Sequence, residues 1–164
     1  MNGIVNEIDW PLELSRILVN AGLAVWIGGT LLAIAVAVTL FASLPSRSQA
    51  GEIFGAILHI LDRGKFIAAG GLLIGVLLEV QASGSALATR HIVRDTMIFV
   101  LIASHVYAVM VVQPKMRYYR EKIVDLDAAS LQDPWRLKFQ AAHRKSERVT
   151  GAGLVLAVAT LVIG

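Results

Sequence analysis

The stretch TMIFVLIASHVYAVMVVQP, residues 96–114, contains no Asp, Glu, Lys or Arg. As a helix it would be about 28 Å long, close to the roughly 30 Å hydrocarbon core of a bilayer. His105 lies at its centre, so the sequence predicts an ionisable side chain near the membrane midplane. Such a side chain is costly in lipid and is a functional candidate by default, although a neighbouring helix can also hold a neutral imidazole by a hydrogen bond.

The composition of the whole chain agrees with a membrane protein. Of its 164 residues, 56% are hydrophobic and only 16% are charged, with a mean hydropathy of +0.67. A soluble globule of this size cannot bury so much apolar surface. The absence of cysteine excludes disulfides, thiolate metal sites and iron–sulfur clusters. No nucleotide-binding or hydrolase motif is present, so we expect a protein that is not an enzyme unless a bound cofactor supplies the chemistry.

Four apolar runs predict four transmembrane helices. They cover residues 17–41, 66–86, 96–112 and 149–163. Each run should be a helix because lipid offers no hydrogen-bond partners to the backbone. We therefore predict an all-α fold, an integral membrane antiparallel four-helix bundle that forms a single domain over residues 1–164.

Helices 2, 3 and 4 should extend beyond the membrane on one side. Helical periodicity predicts an amphipathic extension of helix 2 over residues 51–63. Charged segments predict similar extensions of helix 3 and helix 4 over 115–122 and 135–148. Asp133 and Pro134 provide an N-cap and a first-turn proline for helix 4. The predicted loops are 44–50, 83–90 and 126–133.

The distribution of basic residues predicts the orientation. Twelve of the 15 Lys and Arg residues lie on the side of the first and third connections, and the other three are Arg16, Arg90 and Arg94. The positive-inside rule makes the basic side cytoplasmic. We therefore expect a multi-pass protein of an inner or plasma membrane, with both termini outside and the long connections in the cytoplasm.

Clustered basic residues on the cytoplasmic side predict contact with lipid headgroups. Beside Tyr118 and Tyr119, anionic headgroups would gain about 1 kcal/mol for each basic residue near the surface. Nucleic acid is not an expected partner. The predicted headgroup residues are Lys115, Arg117, Arg120, Arg144, Lys145 and Arg148.

Histidines and carboxylates suggest two kinds of cofactor site. His59 with Asp62 one turn on, together with His143, would supply ligands for zinc or another divalent metal if helices 2 and 4 are neighbours. The spacing is not a recognised metal motif, and solvated helix faces are the favoured alternative. A b-type haem is a further alternative, held axially by His105 with either of the other two histidines.

Glu79 should lie near the outer interface. Pairing with Arg16, Arg90 or Arg94 is the favoured interpretation, and gating of a cation is the alternative. Small residues predict close helix packing, within the bundle rather than between two chains. The glycines assigned to it are Gly28, Gly29, Gly71, Gly75 and Gly151.

Several short motifs carry a resemblance to a known family. They are WIGG at 26–29, LF at 40–41, AGEIFG at 50–55, QPKM at 113–116, and finally Phe139 with His143 and Ser146. In order and placement the chain resembles, from about Val25 onward, the small four-span family that includes transmembrane protein 205. The resemblance implies a four-helix membrane protein with a polar cluster of Gln113, His143 and Ser146 at its cytoplasmic end. Members often carry a proline before the LF pair, where this chain has Ala37-Val38-Thr39.

Three functions remain open from the sequence. The leading hypothesis is a non-enzymatic protein that binds or moves a small solute or metal ion through a polar site of His59, Gln113, His143 and His105. The second is an accessory or structural subunit that packs against a larger membrane complex or a second copy of itself. The third is a haem-binding redox subunit.

Overall fold

Four long helices make up most of the described part of the chain. The computed structural model describes residues 9–83 and 89–164. The helices are α1 (Trp10–Ser43), α2 (Arg47–Ser83), α3 (Thr89–Glu121) and α4 (Pro134–Ile163), and each is long and apolar enough to cross a membrane. The predicted all-helical fold and the existence of four candidate spans are confirmed. The end of the predicted run 66–86 and most of the predicted loop 83–90 lie outside the described residues.

Helix α2 begins earlier than the sequence predicts. The expected loop 44–50 is wrong, because α2 starts at Arg47 and only 44–46 connect it to α1. Asp127 explains the early start: its Oδ1 accepts from the Arg47 N–H at 3.2 Å, and its Oδ2 accepts from the Ser46 hydroxyl at 2.8 Å. The Ser46 hydroxyl in turn accepts from the Gln49 N–H at 3.2 Å. Side-chain acceptors thus satisfy backbone donors that a helix start would otherwise leave unpaired.

Helix α4 begins where the sequence predicts. Asp133 Oδ1 accepts hydrogen bonds from the N–H groups of Trp135 at 2.9 Å and Arg136 at 2.8 Å, and Pro134 occupies the first turn. The helix then runs without a break for 30 residues, or about 45 Å. The predicted span 149–163 is therefore the apolar half of a longer helix.

Helix α3 contains a wider turn that the sequence analysis missed. Residues Ala108–Val112 form a π-helical turn, in which the Gln113 N–H bonds to the carbonyl of Ala108. Pro114 accounts for it, because a proline has no N–H to donate and its ring clashes with the carbonyl four residues earlier. Adding one residue to the preceding turn relieves that clash.

The helices differ in how closely they pack. Helix α1 packs along α2, and α3 packs along α4, whereas few close contacts join α2 to α3. The core consists of large apolar side chains with almost no exposure. Its central members are Leu23, Leu72, Ile98, Leu101 and Ala157.

Two glycines allow the close approach of α1 and α2. A Cβ on Gly75 would lie 2.8 Å from Val19 Cγ2, and a Cβ on Gly22, which the sequence analysis missed, would lie 2.7 Å from Leu72 Cγ. The packing role assigned to Gly28, Gly71 and Gly151 is a wrong prediction, because a Cβ on any of them would meet nothing within 4 Å. At Gly29 the nearest atom would be Lys65 Cε, at 3.8 Å.

Candidate functional site

Polar side chains bridge the gap between α2 and α3 at two levels. The inner cluster comprises Asp62, Lys65, His105 and Gln113; the outer cluster comprises Glu79, His91, Arg94 and Asp95. Asp62 and Glu79 are separated by about 25 Å along α2. Because the two backbones do not approach closely, there is room between them for long polar side chains at both levels.

The inner cluster places a buried carboxylate between an amide and an imidazole. Asp62 is 5% exposed, and its Oδ2 accepts a 2.7 Å hydrogen bond from Gln113 Nε2. His105 is 8% exposed, and its Nε2 lies 3.9 Å from Asp62 Oδ1. That distance is too long for a hydrogen bond, and the Nε2 atom has no partner among the described residues.

Aromatic rings hold the imidazole in place. The Trp26 ring of α1 meets the His105 ring edge-on, with 5.1 Å between centroids. The Phe66 ring of α2 lies on another side, 5.0 Å away and tilted by 53°. Such contacts fix the plane of the ring without satisfying its nitrogens. His105 is therefore oriented by its neighbours while its Nε2 remains available.

The π-helical turn brings His105 and Gln113 to the same carboxylate. In a regular α-helix, residues eight apart point about 80° away from each other, since each residue turns the helix by about 100°. One extra residue in the intervening turn reduces the offset to about 20°, the value for residues seven apart. The distortion at Pro114 is thus what allows one helix to present both side chains to Asp62.

Lys65 adds a buried cation to this cluster. It lies one helical turn after Asp62 and is 5% exposed. Both residues immediately precede the apolar run that starts at Phe66. His105 is therefore central in the apolar run of α3 but level with the beginning of the apolar run of α2, which places the cluster toward one end of the apolar zone of α2.

The outer cluster is a continuous chain of polar contacts. Glu79 receives the Nδ1 of His91 and the Nη2 of Arg94 on its two oxygens. Arg94 also donates to Asp95 Oδ1, from Nη2 at 2.9 Å and from Nε at 3.2 Å. Arg90 Nε contacts the remaining nitrogen of His91 at 3.3 Å. Of the predicted arginine partners of Glu79, the structure shows Arg94, and His91 is a further partner.

Apolar side chains separate the two clusters. Leu23, Leu72 and Leu101 are each at most 1% exposed and belong to the same core. Along the chain, Leu72 lies between Asp62 and Glu79 on α2, and Leu101 lies between Asp95 and His105 on α3.

The predicted metal site is not assembled. Among residues 9–83 and 89–164, no group of three His, Asp or Glu side chains is placed to hold a metal ion. His59 is exposed, and His143 is half exposed, with its Nε2 3.2 Å from Glu147 Oε1 and its ring stacked on Phe139. Asp62 turns toward α3 instead of joining them. The expected convergence of His59, Asp62 and His143 is therefore wrong.

The residues of the other predicted polar sites also lie apart in the structure. A haem between His105 and a second histidine is not supported, because His59 and His143 are on exposed surface while His105 is buried. Gln113 belongs to the inner cluster, whereas Ser146 is half-buried on α4 and makes no side-chain hydrogen bond within the described part of the chain. The polar cluster implied for Gln113, His143 and Ser146 is not formed by hydrogen bonds among them.

The predicted headgroup residues lie at the end of the molecule that carries the inner cluster. Five of them are exposed, and one of these, Lys145, places its Nζ 5.1 Å from the centre of the Tyr107 ring. Arg120 is the exception: it is half-buried and donates to the Ser48 hydroxyl and, at 3.3 Å, to the Ile123 carbonyl. The exposed residues are Lys115, Arg117, Arg144, Lys145 and Arg148.

The sequence analysis did not identify two side chains of the clusters. Lys65 was counted only as a cytoplasmic positive charge, and Asp95 was not considered. A signal existed for both: Asp62 with Lys65 and Arg94 with Asp95 are opposite charges close together just before an apolar run. Such pairs can be buried because they neutralise each other.

Comparisons with models of protein families, with curated proteins and with solved structures found no match for this chain.

Proposed function

We propose that this protein is a multi-pass membrane protein that binds a small polar solute in the inner cluster and moves it when the helices separate. The observation that carries the proposal is the buried Nε2 of His105, which faces Asp62 without a hydrogen-bond partner. A buried polar atom without a partner costs free energy of about 1–3 kcal/mol. A bound solute that hydrogen-bonds to this atom would recover that cost.

The cluster favours a hydrogen-bonding solute over a metal ion. Asp62 offers acceptor oxygens, Gln113 and Lys65 offer donors, and the imidazole offers either according to its tautomer. A divalent metal would need further anionic or imidazole ligands, which the described residues do not provide. The smallest solute that fits this chemistry is a proton carried by water.

A flux assay in reconstituted vesicles tests the proposal. The probes are protons, followed by an enclosed pH-sensitive dye, and urea and glycerol, followed by osmotic swelling. We expect at least one probe to cross faster than in protein-free vesicles, and we expect His105→Gln or Asp62→Asn to remove most of the excess rate. His143→Gln is the matched control, because that histidine is exposed. Rates equal to those of protein-free vesicles for all three probes would exclude transport of these probes.

We also propose the finer topology, an antiparallel four-helix bundle with both termini outside. Contacts between helix ends support it: Ser15 of α1 bonds to the Gly75 carbonyl of α2, and Ser46 bonds to Asp127 after α3. The chain has no cysteine, so single cysteines can be labelled selectively. A cysteine at Ser130 should react with an impermeant maleimide only after the cells are opened, and reaction in intact cells would reverse the topology.

The same topology places the exposed basic residues of the inner end in the cytoplasm. We propose that they bind anionic lipid headgroups there, because they are numerous and exposed. Flotation with phosphatidylglycerol vesicles cannot measure headgroup binding here, because an integral membrane protein floats with any vesicle that contains it. A better test compares thermal stability in phosphatidylcholine with and without phosphatidylglycerol, in wild type and in Lys115→Gln/Arg117→Gln. The double variant should lose the stabilisation that the anionic lipid confers.

An accessory subunit is the second candidate function. Gly28, Gly51 and Gly55 are exposed, with open space where a Cβ would lie, so a helix of another membrane protein could pack closely there. We also propose that the chain belongs to the small four-span family that includes transmembrane protein 205, on the motifs quoted in the sequence analysis. A partner that co-purifies in stoichiometric amount, and is lost in Gly28→Leu, would favour this function over the first.

A further inference from the structure

A cavity of about 250 Å³ opens at the end of the molecule that carries the outer cluster. All four helices contribute to it: Ser15 and Asn20 from α1, Glu79 from α2, Arg94 from α3 and Thr160 from α4. At about 30 Å³ for each molecule in liquid water, this volume would hold several waters or one small organic ion. It is distinct from the inner cluster, from which the apolar core separates it.

Arg94 presents an unused donor group to this cavity. The residue is 6% exposed, and its Nε and Nη2 are both taken by carboxylates. Its Nη1 makes no hydrogen bond within the described residues, and Arg94 is one of the residues that line the cavity. A guanidinium has five N–H donors in a fixed planar arrangement, so the geometry that pairs Arg94 with Glu79 and Asp95 also directs Nη1 elsewhere.

The charges around the cavity favour an anion. Arg16, Arg90 and Arg94 line it together with His91, and Glu79 is the single side-chain carboxylate among the described residues that line it. Glu79 is already neutralised by Arg94 and contacted by His91. Arg90, which is exposed and also lines the cavity, contacts His91 through Nε only, so its terminal nitrogens make no hydrogen bond within the described residues. Arginine suits carboxylate and phosphate because its N–H groups match two oxygens at once.

From these observations we infer that this cavity binds a small oxyanion, a phosphate or carboxylate group, between Arg94 Nη1 and the Arg90 guanidinium. The shared chemistry has two sources: a free anion in solution, or the headgroup of an anionic lipid in the outer leaflet. The site does not depend on the solute site proposed for the inner cluster. It also gives a role to two of the three basic residues that the positive-inside rule leaves on the outer side.

Calorimetric titration of the full chain with inorganic phosphate, in a non-ionic maltoside detergent, tests the inference. We expect saturable binding of one phosphate per chain, weakened about fivefold or more in Arg90→Gln, because a charged hydrogen-bond donor at the mouth is lost. Arg90 is exposed, so this substitution should leave the fold intact. Arg117→Gln, an exposed arginine at the opposite end, is the matched control and should bind phosphate like the wild type. Arg16→Gln provides a second exposed variant at the cavity.

A second arm of the titration identifies the source of the oxyanion. Addition of phosphatidylglycerol should lower the apparent phosphate affinity if headgroups occupy the cavity, and should leave it unchanged if a free anion is the occupant; either result supports the site. Two results would overturn it: no saturable phosphate binding by the wild type, or equal weakening by Arg90→Gln and Arg117→Gln. Both readouts are independent of flux through the inner cluster, so the two proposals can fail separately.

Discussion

The inner and outer clusters solve the same packing problem in different ways. Both fill the gap between α2 and α3 with a buried carboxylate and side chains from α3. In the outer cluster both oxygens of Glu79 have partners, whereas in the inner cluster His105 Nε2 has none. A satisfied buried network adds rigidity, and an incomplete one is costly unless something else completes it. The ion pairs of Glu79 therefore hold α2 and α3 together, whereas the inner cluster leaves one buried nitrogen without a partner among the described residues.

The packing of the helices around the two clusters shows the same contrast. Near the outer cluster, α1 and α2 touch so closely that a methyl group on Gly75 would collide with Val19. Near the inner cluster, the nearest atom to a Cβ on Gly29 would be Lys65 Cε, at 3.8 Å, in a flexible side chain. Closely packed interiors resist change, while loosely packed regions can rearrange at lower cost. Movement should therefore begin at the inner end.

Removal of the outer carboxylate should have the largest effect. Glu79→Ala removes one of the two carboxylate partners of buried Arg94 and the carboxylate partner of His91, and removing one partner of a buried ion pair costs about 3 kcal/mol or more. We expect the free energy of unfolding, measured in mixed micelles with a denaturing detergent, to fall by that amount. The control is Glu13→Ala, which breaks the exposed pair with Arg16 and should cost about 1 kcal/mol at most. Equal losses in the two variants would contradict the conclusion that the outer cluster holds α2 and α3 together.

The close contact between α1 and α2 should give the next largest effect. Gly75→Ala places a methyl group 2.8 Å from Val19 Cγ2 and 3.1 Å from the Ser15 carbonyl. Overpacking of this kind costs about 1–3 kcal/mol. Gly71→Ala, one turn away with nothing within 4 Å, should be neutral or stabilising by about 0.5–1 kcal/mol because alanine favours the helix. Thermal unfolding of both variants checks the pair, and a stable Gly75→Ala protein would show that the two helices separate readily.

The inner cluster should tolerate an apolar replacement. His105→Phe keeps an aromatic ring between Trp26 and Phe66 and removes the unpartnered nitrogen, so we expect the free energy of unfolding to change by less than about 1 kcal/mol. The same unfolding assay measures it beside Glu79→Ala. A loss as large as that of Glu79→Ala would mean that His105 is part of a satisfied structural network, and the contrast between the clusters would disappear.

The sequence predicts the helices well because a membrane imposes a strong pattern. Uncharged runs locate four spans, and Asp133-Pro134 locates the start of α4. It fails at the start of α2, since the cap that allows an earlier start is Asp127, 80 residues away from Arg47. It also fails to rank the glycines: Gly71 and Gly75 look alike in sequence, yet only Gly75 faces α1.

The site is harder to predict for a related reason. Depth along a helix can be counted from the sequence, and it places Glu79 near one end and His105 centrally. Which side chains meet depends on the direction in which each one points around its helix axis. The π-helical turn at Ala108–Val112 changes that direction for all later residues of α3. The sequence analysis therefore joined Asp62 to His59 and His143, whereas the structure joins it to His105 and Gln113.

The smallest effect is expected for the substitution of Asp127. This exposed carboxylate serves as a reference for the two buried carboxylates, Asp62 and Glu79. The Ser46 hydroxyl, which donates to it, lowers the pKa of Asp127 from its ordinary value of 3.8, assisted by the N–H groups of Ser48 and Arg47 and by the charge of Arg120. A carboxylate with a lowered pKa in the folded state stabilises that state above its ordinary pKa, and the contribution is lost as pH falls through the lowered value. Hydrogen exchange of the Arg47 amide should therefore lose protection below about pH 4. In Asp127→Asn the protection should be weaker and independent of acid in this range. Equal pH dependence in the variant would assign the effect to another group, and the start of α2 would then not depend on Asp127.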